Sequence, residues 1–239
     1  MDADADVAGI AGLLADPARV AMLDALLDGR ALSAGELARC ARVTAPTASA
    51  HLRRLLDGGL VAVQAQGRHR YYRMAGPAVA AAMEALSVIA PPRPVRSLRQ
   101  SQQAHALRFA RTCYDHLAGV VGVAVADALE RAGALRPVGD RDYDLTARGK
   151  ELLGGLGVDV AEPRRQRRAF ARRCLDWTER SPHLSGALGA ALLVRLLDLG
   201  WLVGGRVPRG LVVTDAGRHG LLQAFGCDAA VLQDQASGG

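Results

Sequence analysis

Lysine is nearly missing from this chain: Lys150 is the single one among 239 residues, so the cationic surface is built from arginine. Aromatic residues are also scarce, at 4% of the chain, while alanine and leucine dominate. That balance disfavours a large sheet and favours helices packed through small and aliphatic side chains. Cysteine is the third scarcity. Four cysteines with no C-x-x-C pair and no even ladder of spacings exclude a disulfide framework, and they suit reduced thiols in a cytosol. Long hydrophobic runs are lacking too, since the longest uncharged apolar stretch, LAGVVGVAVA from 117 to 126, is about half of what a bilayer span needs. Met1 opens onto acidic residues rather than a basic leader. No membrane association is expected, and the expected localisation is cytoplasmic.

What is present is a half-apolar chain, long enough for one sizeable core or two smaller ones; two mostly helical domains are expected. The formal net charge of +6 conceals a sharper pattern. Residues 1–36 carry seven acids against Arg19 and Arg30, whereas residues 39–73 carry seven arginines against Asp57 alone. A second basic run contains Arg93, Arg96, Arg99, Arg108 and Arg111, and a third spans Arg164 to Arg173.

The acidic-to-basic transition coincides with readable elements. In DPARVAMLDALLDG, Asp16 is placed to cap a helix, Pro17 takes its first position, and Val20, Leu23, Leu26 and Leu27 form one stripe. Ser33 with Glu36 three residues on predicts a capping box for the short helix SAGELARCA. After a turn, Thr44 caps a second helix, APTASAHLRRLLDGG, so the pair predicts a helix-turn-helix. Leu52, Leu55 and Leu56 are expected inward. Thr44, Thr47, Ser49, His51, Arg53 and Arg54 offer hydroxyls near the helix start and cations further along, which suits entry into a DNA major groove. Alternation then predicts a hairpin, LVAVQAQ and HRYYRM about Gly67-Arg68, whose Arg68, His69, Arg70 and Arg73 form a cationic wing for phosphates or a minor groove.

The segment from Thr44 to Met74 resembles the recognition helix and wing of the ArsR-type winged helix-turn-helix regulators. Thr47, Ser49, His51-Leu52, Gly59-Leu60-Val61, Gly67-Arg68 and Tyr71-Tyr72-Arg73 carry the match. The resemblance covers roughly residues 7–90 and implies a homodimeric DNA-binding domain over residues 1–90, its last helix, AGPAVAAAMEALSVIA, pairing with a partner's. Two departures stand out. Metal sensors of that type often carry C-x-C before the recognition helix, where this chain has Cys40 alone; a second family site uses Asp and His on the dimer helix, and residues 76–90 contain neither.

Residues 91–103, PPRPVRSLRQSQQ, read as a linker to a C-terminal sensing or oligomerisation domain over 104–239. That domain reads as a duplication, with repeats over about 104–160 and 165–230. FARTC at 109–113 matches FARRC at 170–174, HLAG at 116 matches HLSG at 183, LTARG at 145 matches VTDAG at 213, and LGVD at 156 matches FGCD at 225. Each copy is predicted as helix, helix, hairpin, helix, similar to a winged-helix module. Yet the helices in the reader's position, HLAGVVGVAVADAL and HLSGALGAALLVRL, are nearly devoid of groups that contact bases. The expected fold is therefore mainly α with small hairpins, a winged helix-turn-helix followed by two winged-helix-like repeats.

Within the repeats, Cys113, Asp115 and His116 recur as Cys174, Asp176 and His183. On a helix, Cys113 and His116 share a face, as a two-ligand clip requires, and the two sets have the chemistry to bind zinc or another thiophilic metal if the fold brings them together. Three readings stand: core packing of a duplicated helix start with Arg111–Asp115 and Arg172–Asp176 as i, i+4 pairs, an effector or metal pocket, or a reactive thiol switch. The functional expectation is a homodimeric repressor bound to a palindromic operator on double-stranded DNA and released by a small-molecule or metal effector. One alternative is a constitutive DNA-binding protein with a purely structural C-terminal domain. The remote one is a Cys-dependent enzyme using Cys113, His116 and Asp115, disfavoured because no oxyanion-hole element accompanies the triplet. An enzyme is not expected.

Overall fold

Local capping chemistry sets the first elements of the protein, whose computed structural model describes residues 4–67, 69–91 and 94–233. After α1 (Val7–Leu14), the Asp16 carboxylate accepts from the backbone N–H groups of Ala18 and Arg19 and Pro17 opens α2 (Pro17–Leu26). The short strand β1 (Leu32–Ser33) leads into α3 (Ala34–Ala41), where Ser33 and Glu36 close the predicted capping box. Arg42 then turns the chain in the left-handed region at φ 55° and Thr44 caps α4 (Ala45–Asp57). Helix α4 buries Ala48, Leu52 and Leu55, whereas Leu56 is partly exposed rather than inward. Strands β2 (Val61–Gln66) and β3 (His69–Met74) pair antiparallel, with β1 on the far side of β3. Tyr72 and Met74 point inward, so the alternate residues of β3 lie outward.

The chain divides into two compact units, residues up to Met83 and residues from Glu84 onward. Helix α5 (Pro77–Ile89) spans that division. Helix α6 (Leu98–Phe109) begins inside the segment read as a linker, so residues 98–103 are helical; Ser97 caps it through the N–H of Gln100. Polar side chains in RQSQQ hid this helix from apolar periodicity.

In the second unit, β4 (Arg111–Cys113), β5 (His116–Ala118), α7 (Gly119–Arg131), β6 (Leu135–Val138), β7 (Asp142–Leu145) and α8 (Ala147–Gly155) follow in order. After the short α9 (Ala161–Arg165), the order runs β8 (Arg172–Leu175), β9 (Pro182–Ser185), α10 (Gly186–Asp198), β10 (Leu202–Gly204), β11 (Leu211–Val213) and α11 (Asp215–Phe225), closed by α12 (Ala229–Gln233). Hairpin, helix, hairpin, helix thus occurs twice. Leu129, Leu153, Leu188, Leu196, Leu221 and Phe225 belong to one buried cluster.

The expected helix across 109–116 is absent: α6 stops at Phe109, Ala110 is extended, and Cys113 and His116 lie on opposite strands of a hairpin. A spacing of three suits one helix face and a two-residue hairpin tip equally. Backbone geometry decides between them. Tyr114 at the tip sits at φ 61°, and Gly119 at φ 82° turns the hairpin into α7. A Cβ on Gly119 would lie 2.5 Å from the Arg108 carbonyl oxygen, and Gly186, also at φ 82°, stands 2.8 Å from that of Ala169 in the same sense. The expected i, i+4 ion pairs do not form either. Arg111 pairs with Asp176, Asp115 with Arg168, and Arg172 with Asp142.

Candidate functional site

Two groups of side chains carry chemistry, one in each unit. In the first, α4 turns its buried stripe inward and leaves Thr44, Thr47, Ser49, Arg53 and Arg54 exposed. Some of these also hold the helix. Thr44 accepts from the Thr47 N–H at 3.4 Å, the two hydroxyls share a hydrogen bond at 2.9 Å, and the Ser49 hydroxyl donates to the Ala45 carbonyl at 3.0 Å. His51 is half-buried, with Nε2 4.0 Å from the Asp16 carboxylate that caps α2. On the wing His69, Arg70 and Arg73 are exposed; Arg68 lies outside the described residues. Among the described residues none of Arg53, Arg54, Arg70 and Arg73 has a carboxylate at ion-pair distance. Each is free to meet an anion.

The second group is built by hairpin register. Cys113 stands directly opposite His116 across β4 and β5, with two residues between them in sequence. Cys174 stands opposite His183 across β8 and β9, with the Leu175–Pro182 pair and a longer loop between. Residues on facing positions of an antiparallel pair project from the same side of the hairpin. Spacings of three and nine therefore produce the same Cys/His pair, and the packing of the two hairpins brings the pairs together. One ligand-type atom from each of Cys113, His116, Cys174 and His183 lies within 4.8 Å of all the others. The two sulfurs are 4.0 Å apart and the imidazole centroids 5.1 Å. All four cysteines are free thiols.

The group is enclosed. Cys113, His116 and His183 are buried and Cys174 is partly buried. Its sulfurs differ in proton affinity: the hydrogen bond from Cys113 holds the Cys174 thiol far below the ordinary thiol range, helped by both imidazoles against the opposing effect of burial. The Cys113 thiol is correspondingly pushed up by that hydrogen bond and by desolvation. Burial lowers the proton affinity of His116, but the hydrogen bond with Asp115 and the nearby Cys174 sulfur outweigh it and the net direction is upward. Nε2 of His116 and both ring nitrogens of His183 are buried without a hydrogen-bond partner among the described residues.

Carboxylates stand behind both histidines. Asp115 meets Nδ1 of His116 at 3.3 Å and is itself gripped by Arg168. Asp176 lies 3.4 Å from Nδ1 of His183, an ion-pair distance without hydrogen-bond alignment. It also accepts from the N–H of Gly119 at 2.7 Å, capping α7 in place of a local side chain, and from Arg111 at 3.0 Å. Burial raises the Asp176 proton affinity, but Arg111 and the Thr178 hydroxyl outweigh it and hold the carboxyl well below the usual range. Arg111 lies 4.0 Å from Glu84 on α5, and Arg209 closes on Glu84 at 2.6 Å.

A helix-turn-helix domain model matches residues 14–64. The HTH-type transcriptional regulator YdfF of Bacillus subtilis (strain 168) is 46% identical over 213 residues, 89% of this chain and 94% of that protein. The chain belongs to the HTH-type transcriptional regulators. Among solved structures, the regulator is similar to the homodimeric winged helix-turn-helix DNA-binding domain Mb0332 of Mycobacterium bovis: 32% identity, 37% of this chain and 89% of that one, TM-score 0.33. It is also similar to the cadmium metal-sensor CMTR of Mycobacterium tuberculosis: 30% identity, 39% of this chain and 100% of that one, TM-score 0.29.

In this regulator Thr47, Ser49, His51, Arg53 and Arg54 sit on α4, with Thr44 as its cap, and His69, Arg70 and Arg73 sit on β3, with His51 turned toward Asp16 rather than outward. Cys113, His116, Cys174 and His183 come together, while Asp115 and Asp176 contact the histidines from behind. Sequence reasoning missed Glu84, Arg168 and Arg209. Their partners lie 53 residues away for Arg168–Asp115 and 125 for Arg209–Glu84, beyond any local spacing rule. No described helix is long and apolar enough to cross a membrane.

Proposed function

We propose that this regulator is an ArsR-type homodimeric repressor that reads a palindromic operator through α4 and β3 and is released by an effector received in its C-terminal unit. The observation that carries the first half is the set of exposed arginines Arg53, Arg54, Arg70 and Arg73, without carboxylate partners among the described residues, on the helix and strand that a winged helix presents to DNA. Two such helices in a dimer enter successive major grooves about 34 Å apart, so half-sites lie roughly one helical turn from centre to centre. Residues up to about 90 form the DNA-binding and dimerisation part in this reading. The C-terminal part derives from a doubled winged-helix-like module whose reader-position helices, α7 and α10, have become core: Val121, Val125, Leu188 and Leu192 are all buried.

The second half rests on the ionic connection between the Cys/His group and α5. A ligand that draws on His183 acts on Asp176, and through Arg111 on Glu84, which belongs to α5, the helix assigned to dimer pairing. A coupling of about 1–3 kcal/mol suffices to move operator affinity about five- to 150-fold. Footprinting of purified protein on its own upstream region tests the reading: a protected site with twofold symmetry is expected. A footprint without that symmetry, or full-affinity binding by a monomer, removes it.

A further inference from the structure

We propose that Cys113, His116, Cys174 and His183 form a closed four-coordinate site for one thiophilic divalent ion of the zinc class per chain, clasping the two Cys/His hairpins of the second unit. The proposal rests on the reading that this unit receives the effector, and it names the effector's chemical class. Geometry is the first support. Tetrahedral coordination with metal–sulfur bonds of about 2.3 Å places two sulfurs about 3.8 Å apart, and the observed separation is 4.0 Å. All four candidate donor atoms already lie within 4.8 Å of each other, so closing the widest gap by about 1–1.5 Å completes the polyhedron.

The second support is unmet bonding capacity. Nε2 of His116 and Nε2 of His183 are buried with no partner among the described residues. Buried ring nitrogens without a hydrogen bond are costly, and a metal bond satisfies them. The third support lies behind the ligands. A metal-bound histidine ordinarily directs its other ring nitrogen to a carboxylate, which fixes the ring and strengthens the ligand. Asp115 stands behind His116 in that manner, and Asp176 lies 3.4 Å from Nδ1 of His183, placed to take the same role once the ring is fixed.

Charge and donor type select the ion. Two thiolates neutralise one dication, leaving a centre suited to burial, while Asp115 and Asp176 are balanced by Arg168 and Arg111. Sulfur and imidazole donors favour zinc, cadmium or cobalt(II) over magnesium or calcium. Four protein ligands leave no open position for water or substrate, so the centre is structural or regulatory rather than hydrolytic. Each hairpin supplies one Cys and one His, so the ion joins segments 61 residues apart between its sulfurs.

Full-length protein, reduced and stripped by chelator, is titrated with cobalt(II) and then zinc. The expected result is one equivalent of cobalt per chain, with the visible bands of a tetrahedral ion and a near-ultraviolet thiolate-to-cobalt band, both abolished by stoichiometric zinc. Cys174→Ser and His183→Gln each weaken binding beyond the roughly 10–100-fold loss expected for Asp115→Asn behind His116. Cys40→Ser and Cys227→Ala, outside the cluster, retain the spectrum. Absence of bound cobalt overturns the proposal, as does a spectrum that survives both ligand variants. Should those variants fail to fold, X-ray absorption of the wild-type zinc form decides: two sulfur and two nitrogen donors uphold the site, and an oxygen-only or single-sulfur shell overturns it. Operator affinity measured with and without zinc separates the two readings. A loaded site with unchanged affinity removes the effector role but leaves the metal site, whereas loss of cobalt binding leaves DNA recognition standing.

Discussion

Arg111 and Asp176 meet at 3.0 Å with neither side chain exposed to solvent, although 65 residues separate them in the chain. Removing one member of a buried pair leaves the other as an uncompensated charge, at a cost of about 3–5 kcal/mol. Arg111→Met fills similar space without the charge and strands Asp176. Chemical denaturation should show a midpoint loss of that order, because Asp176 then keeps hydrogen bonds from Thr178, Glu179 and Gly119 but no cation at ion-pair distance except His183 among the described residues. A change under about 1 kcal/mol would mean the pair is dispensable.

Arg53→Ala combined with Arg54→Ala should weaken operator binding and leave the thermal transition in place. Both side chains are exposed and lack carboxylate partners among the described residues. If each touches one phosphate, the slope of log affinity against log salt falls by about two. Fluorescence anisotropy at several salt concentrations measures it, and an unchanged slope would take both arginines off the DNA.

Ser33→Ala tests the capping box, in which the Ser33 N–H and hydroxyl both donate to Glu36. Loss of the cap should cost about 1 kcal/mol at neutral pH. The pH dependence has a defined sign. The Ser33 backbone hydrogen bond, aided by the hydroxyl, holds the Glu36 carboxyl below its ordinary value against a small desolvation effect. Its contribution is therefore complete above the unfolded value of about 4.3 and is lost as pH falls through the depressed folded value. The gap between wild type and variant should narrow under acid without closing, because the Ser33 hydroxyl still accepts from the Glu36 N–H, and Glu36 should titrate at higher pH in the variant by NMR.

Gly189→Ala should destabilise the second unit by about 1–3 kcal/mol. A Cβ there would lie 2.5 Å from the Leu184 carbonyl oxygen and 3.3 Å from Cβ of His116, so α10 or the hairpin carrying His116 must give way. Gly154→Ala is the control: a Cβ there meets nothing within 4 Å and the position is helical, so stability should hold or rise. Differential scanning calorimetry distinguishes the pair.

The first unit was legible residue by residue because its signals are local. Asp16, Ser33 and Thr44 cap the helices they were expected to cap, and the alternation after Gly59 folds as the β2–β3 hairpin. The second unit was legible in its phrasing but not in its secondary structure. Cys113 and His116 satisfy a helix spacing, and only the left-handed turns at Tyr114 and Gly119 reveal a hairpin. Of the site, the six recurring Cys, Asp and His residues were visible as a repeated phrase, and four of them converge.

By itself the amino-acid order determined where the helices of the first unit begin, which faces are apolar, where the basic residues of α4 and β3 fall, and that one Cys/Asp/His phrase is written twice. Each of these is decided by interactions within a few residues. Tertiary structure decided that spacings of three and nine yield matching cross-strand pairs, that those pairs face each other, and that Asp176 caps a helix start 57 residues away while binding Arg111. Such convergence depends on how two hairpins pack against α7 and α10, and no short window of sequence contains that free energy.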